Sequence, residues 1–142
     1  MGGIKITPAD KWFSKCVREA SNYTCDVCLK QYGENSMGLH CSHFFSRRHR
    51  SVRWNPDNGT SMCFSCHNRL GGDPDDFVRW MRERVGEGMI DILREKRDDL
   101  MLAKSLKKNE TDIARHYREE FKRLKGLRSE GHVGRLEIIG YE

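Results

Sequence analysis

Residues 25–70 read CDVCLKQYGENSMGLHCSHFFSRRHRSVRWNPDNGTSMCFSCHNRL, and their reading decides the fold. Two Cys-x2-Cys pairs, Cys25/Cys28 and Cys63/Cys66, bracket the stretch, with 34 residues between Cys28 and Cys63. Each pair offers two thiolates, and four thiolates complete a tetrahedral Zn²⁺ shell at Zn–S distances of about 2.3 Å. A lone pair is weak evidence; two at this separation predict a structural zinc. No apolar N-terminal segment of the secretory kind precedes them, so six cysteines are not read as a disulfide framework. Cys16 lies on the apolar face of an expected helix and is read as a core thiol.

Between the knuckles the charge is one-sided. No acidic residue occurs from Glu34 to Asp57, while Arg47, Arg48, Arg50 and Arg53 all fall there. Clustered arginine beside a metal motif is the footprint expected of phosphate contact, and the net charge of +5 agrees with a polyanionic partner. The same segment holds His43 and Asn58, and His67 follows Cys66 directly. A neutral imidazole takes a proton from water near pH 7. A divalent ion polarises a phosphate and stabilises the leaving oxygen. A side-chain amide holds the ring or its hairpin in place. His43, Asn58 and His67 fit those three roles in order, 15 and 9 residues apart. Each has a plainer structural alternative: a histidine bonded to a carbonyl, a turn-forming asparagine, and a histidine that replaces a cysteine or caps a helix.

Outward from the centre, Thr7, Pro8 and Asp10 predict a helix start, with Phe13, Cys16, Val17 and Ala20 as its apolar face over about 8–20. Residues 37–45 are read as the first strand of a hairpin and 51–54 as a short second strand. The turn-forming run Asn55, Pro56, Asp57, Asn58 and Gly59 follows. A helix from Phe64 carries His67, and Gly71 and Gly72 break it. Asp73 and Pro74 start another, with Phe77, Trp80, Met81 and Val85 as a stripe. One longer helix is expected over 89–106, with Ile90, Leu93, Leu100 and Met101 as packing residues. A last one from Asn109 to Gly126 carries Ile113, His116, Tyr117, Phe121 and Leu124. Residues 135–141 are read as a short strand or a disordered end.

The expected class is α+β: a zinc-stapled ββα-metal, treble-clef-like core with flanking helices and a helical C-terminal extension. The domain reading is 1–106, with a core at 22–72, followed by an extension and basic tail at 107–142. No apolar run reaches the roughly 20 residues that span a bilayer, so no membrane partner and a cytoplasmic location are expected.

The segment WNPDNGTSMCFSCHNRL resembles the second half of an HNH endonuclease motif. More narrowly, CSHFFSRRHRSVRWNPDN with CFSCHNRLGGDPDDFVRWM and GEGMIDIL is similar to the phage NinG/Rap recombination nucleases. That resemblance covers about 25–93. It implies a metal-dependent DNA endonuclease, acting in the bacterial cytoplasm on branched intermediates such as Holliday junctions and D-loops. By its pattern His43 is the general base, Asn58 the orienting amide and His67 a ligand of a catalytic Mg²⁺ or Mn²⁺. Cys25, Cys28, Cys63 and Cys66 are the structural zinc set, and Arg47 and Arg48 phosphate contacts, with Arg50 and Arg53 beside them. Two positions depart from the pattern: Ser42 and Gly71 stand where further metal ligands are usual. His40, Cys41, His49 and Asp57 are the candidates to complete that shell. A junction-cutting enzyme suits a homodimer, with the Phe121/Leu124 face as an interface. The rival readings are a non-catalytic zinc-finger-like DNA-binding module and a zinc-stabilised protein adaptor.

Overall fold

A computed structural model describes residues 4–141, so the first and last residues of the expected domain ranges lie outside it. The described residues form seven α-helices and one two-stranded antiparallel sheet, an α+β arrangement. Helix α1 (Pro8–Ala20) starts on a reciprocal cap. The Asp10 amide donates to Thr7 Oγ1 (3.3 Å), and the Thr7 amide donates to Asp10 Oδ2 (2.9 Å). At its far end Asn22 and Tyr23 take φ of 55° and 57°, turning the chain into the first cysteine knuckle.

Strand β1 (Leu39–His43) pairs with β2 (Gly59–Cys63), with Leu39 opposite Cys63 and His43 opposite Gly59. The second strand is therefore not 51–54, which forms most of a short helix, α2 (Arg50–Arg53). Ser51, Val52, Arg53 and Trp54 are all buried, and the amides of Val52 and Asn55 donate to the carbonyls of His49 (3.0 Å) and Val52 (3.2 Å), closing turns instead of pairing with a strand. β2 is instead the wholly buried strand, because α1 covers one side of it. A Cβ on Gly59 would lie 3.0 Å from the Phe13 ring, a contact tight enough that the ring would have to shift, so glycine suits this approach.

Two apolar clusters flank the sheet. One gathers Leu39, Val52, Met62 and Leu70, the last from α3 (Phe64–Gly71). It also takes Phe77 and Met81 from α4 (Pro74–Val85), and Ile90 and Leu93 from α5 (Glu87–Arg97). The other joins Phe13, Cys16 and Val17 of α1 to Trp54 and Leu106. It is completed by Ile113, Tyr117 and Leu124 of α7 (Glu110–Ser129). The extension expected at 107–142 thus shares a core with α1. Leu124 is 0% exposed, and Phe121 lies 5.9 Å from the Trp12 ring, so α1 already occupies the face read as a dimer interface.

The helix expected over 89–106 is two helices. Asp99 accepts from the Leu102 amide (3.0 Å) and starts α6 (Leu100–Lys108), leaving Leu100 and Met101 each 75% exposed rather than packed. Gly126 does not end α7, which continues to Ser129; a glycine inside a helix costs only about 1 kcal/mol. Residues 135–141 form neither strand nor helix, yet they dock. The Leu136 amide donates to the Ala20 carbonyl (2.8 Å), Ile139 N–H to Glu120 Oε2 (2.7 Å), and Tyr141 N–H to Tyr117 Oη (3.1 Å). No helix among the described residues is long and apolar enough to cross a membrane.

Candidate functional site

The cysteines converge. Ligand atoms of Cys25, Cys28, Cys63 and Cys66 all lie within 4.8 Å of one another, a four-thiol cluster that can hold a metal such as zinc. Local backbone builds it. The Cys25 amide donates to the Lys30 carbonyl (2.9 Å), and Leu29 sits at φ 66°, folding the first knuckle back. Cys63 ends β2 and caps α3, where its sulfur accepts from the Cys66 amide (3.4 Å); Cys25 sulfur accepts from the Cys63 amide (3.4 Å). Burial opposes ionisation of Cys63, but the Cys66 amide and neighbouring donors bring its thiol down to about 7. Cys16 is elsewhere, donating to the Tyr117 carbonyl (3.2 Å), and burial raises its thiol well above the ordinary range.

His43 and Asn58 together fasten the 44–58 loop to the sheet. His43 Nε2–H donates to the Arg53 carbonyl (3.0 Å), since a carbonyl only accepts; its Nδ1 has no hydrogen-bond partner among the described residues. Burial pushes the imidazole down to about 4, outweighing the Arg53 carbonyl, and the Arg47 charge lowers it further. The ring is thus neutral at pH 7, with its lone pair on Nδ1. Asn58 is 0% exposed and does more than form a turn. Its Oδ1 accepts from Phe45 N–H (2.8 Å), and its Nδ2 donates to the carbonyls of Phe45 (2.9 Å) and Val52 (3.1 Å). The amide holds the loop rather than the ring.

His67 meets a different histidine. Its Nδ1 lies 3.1 Å from Nδ1 of His40, with ring planes at 74°. Burial, then the nearby His40, lowers its pKa. Side chains alternate along a strand, so His40 and Ser42 face one side of the sheet and Cys41 and His43 the other. His43 packs beside Phe13 of α1, at 5.9 Å between ring centroids, whereas His67 sits across the sheet on α3. The structure does not bring His43 and His67 together. Of the other candidates, Cys41 packs in the α1 cluster with its thiol pushed up to about 12 by burial. His49 precedes α2 without a side-chain cap, and Asp57 lines a separate cavity. The pairing of His40 with His67 follows from the register that sets Leu39 against Cys63, which the expected second strand at 51–54 could not supply.

The four arginines have four fates. Arg53 is 3% exposed and belongs to the core, correcting its place among phosphate contacts. Its Nε and Nη2 donate to Asp10 (2.9 and 2.6 Å), and Nη2 also to the Lys5 carbonyl (2.8 Å). Arg50 pairs with Glu110 (2.9 Å). Arg47 donates through Nη2 to the Ile4 carbonyl (3.3 Å), while its Nη1, 3.6 Å from Asp10, is buried without a hydrogen bond. Arg48 is exposed and has no ion pair among the described residues. Asp10, read from sequence as a helix cap, also accepts from Trp54 Nε1 (3.0 Å), anchoring α2 to α1.

A cavity of about 900 Å³ between α2, the end of α4, α6 and the tail is lined by Trp54, Asp57, Arg84 and Arg135, and touches none of His40, His43 or His67. Comparison with protein-family models, with characterised proteins and with solved structures yields no match to this chain.

Proposed function

We propose that this chain is a metal-dependent DNA endonuclease, with His43 as the base that activates water. The observation that carries the reading is the state of His43: neutral, oriented by the Arg53 carbonyl, with the Nδ1 lone pair unclaimed. Asn58 supports it by clamping the loop that supplies that carbonyl. Arg48, exposed and unpaired, offers its charge to a phosphate, and Arg47 lies beside it. The four cysteines would hold a structural zinc, and His67 a catalytic divalent ion. That ion, when bound, would neutralise phosphate charge and stabilise the leaving 3′ oxygen. Branched DNA is the substrate that the resemblance to the recombination nucleases suggests.

The separation of His43 from His67 across the sheet favours a second reading, a zinc-stapled DNA-binding module without cleavage. End-labelled four-way junction, flap and linear duplex of shared sequence, with Mg²⁺, Mn²⁺ or EDTA, distinguish the two. Divalent-dependent cutting of the branched substrates, lost in His43→Ala with zinc content unchanged, is the expected result. Binding without cutting under every ion would establish the second reading.

A further inference from the structure

His40 and His67 are held face to face by the elements that also build the cysteine cluster. Leu39 pairs with Cys63, Cys63 caps α3, and the Phe64 amide donates to the Gly38 carbonyl (3.1 Å). One residue along β1 and one turn along α3, the two imidazoles meet with Nδ1 atoms 3.1 Å apart, both rings partly buried. The other nitrogen of His40 is already committed: Nε2 lies 3.2 Å from the Met37 carbonyl, which can only accept, so Nε2 carries the hydrogen. In the neutral ring the Nδ1 lone pair therefore points at His67.

We propose that His40 and His67 form a two-imidazole site for a first-row transition ion such as Ni²⁺, Zn²⁺ or Mn²⁺, separate from the four-cysteine cluster and poorly suited to Mg²⁺. Metal–nitrogen bonds of 2.0–2.1 Å at tetrahedral or octahedral angles place two ligand nitrogens about 2.9–3.4 Å apart, the range in which the 3.1 Å separation falls. A backbone carbonyl on the far nitrogen, as Met37 supplies, is the usual way a ligating histidine is oriented and its tautomer set. Without an ion, His67 Nδ1–H donates to His40 Nδ1. On binding, His67 gives its Nδ1 proton to solvent and takes one from solvent at Nε2, a change of tautomer with no net proton release. Imidazole favours transition ions over Mg²⁺, which prefers oxygen ligands. Two protein ligands leave the remaining positions to water or a phosphate oxygen. The site deepens the nuclease reading by naming a partner for His67 and the class of ion there, and rests on that reading only for the ion's use.

The test is calorimetric titration of zinc-replete protein with NiCl₂, and separately with MnCl₂ and MgCl₂. It compares wild type, His40→Ala, His67→Ala and the double variant, with zinc content and circular dichroism reporting the fold. Glutamine variants replace any alanine variant that fails that check. The expected result is a single Ni²⁺ site per chain, weakened at least about tenfold by either substitution, with no comparable Mg²⁺ binding. Mn²⁺ should broaden the ring resonances of His40 and His67 before those of His43, His49, His116 and His132. Absence of Ni²⁺ binding in wild type, or equal binding in the double variant, would overturn the proposal and leave the pair a hydrogen bond. Because cleavage is not read here, a chain that binds Ni²⁺ at this pair but leaves DNA uncut keeps the site and loses the nuclease. A chain that cuts DNA without binding Ni²⁺ does the reverse.

Discussion

Arg53 clasps Asp10 through two guanidinium nitrogens, at 2.9 and 2.6 Å, and this buried pair ties the arginine-rich loop to the first helix. Burial works against the Asp10 carboxylate, but Arg53 and the Thr7 cap hold it below the usual range. Removing Arg53 leaves the buried Asp10 carboxylate with only the longer Arg47 contact (3.6 Å) and neutral donors from Thr7 and Trp54. Arg53→Ala is expected to lower unfolding free energy by about 3–5 kcal/mol in urea titration. A change under about 1 kcal/mol would show that the loop is anchored otherwise.

Arg48 is the opposite case: exposed and without an ion pair among the described residues. Arg48→Ala should leave the urea midpoint unchanged while weakening DNA binding at low salt. The slope of log K against log salt should fall by about one. An unaltered slope would remove Arg48 from the phosphate contacts.

His43 should titrate near 4 in the folded chain, against about 6.5 unfolded. The folded value is depressed, so its contribution to stability is complete above about 6.5 and is lost as pH falls towards 4. With the ring partly exposed, a loss of about 1–2 kcal/mol between pH 7 and pH 4.5 is expected, and His43→Gln should abolish that part of the pH dependence. Ring-proton NMR checks the value directly; a midpoint near 6.5 would mean that the ring is hydrated.

Asn58 satisfies three backbone groups at once, from Phe45 and Val52. Asn58→Ala strands them in the interior and should cost roughly 3–5 kcal/mol. Asn58→Asp keeps the acceptor for Phe45 N–H but turns a second oxygen towards two carbonyls, so it should rescue little. Full stability in the aspartate variant would place water, not the amide, at those carbonyls.

Cys66→Ala should abolish stoichiometric zinc and broaden the unfolding transition, because binding at a four-thiolate site contributes directly to folding free energy. Cys16→Ala, outside the cluster, should retain its zinc. Metal analysis after dialysis separates the two, and equal zinc in both variants would mean that the cysteine cluster is not its site.

Local chemistry was the legible part of this chain. The Thr7/Asp10 cap, the Asp73–Pro74 start of α4 and the Cys-x2-Cys spacing each place an element within a few residues of where it lies. What was not legible depends on contacts between distant segments. Four buried residues at 51–54 suit a strand or a helical turn equally, and only their packing against α5 and α6 decides for the turn. Leu124 reads as an interface residue until α1 is known to cover it. His40 becomes the neighbour of His67 only once the register sets Leu39 against Cys63.

The second apolar cluster joins α1 to a helix that begins about ninety residues later, and the docked stretch at 136–141 closes over both. A chain made from its N-terminus exposes Phe13, Val17 and Ala20 long before their partners exist. The cysteine half, whose contacts span 25–93, can close while α7 is still being synthesised. The α1 face waits, so translation allows one order of assembly: the cysteine cluster can close first, and Tyr117 and its neighbours can join α1 only afterwards.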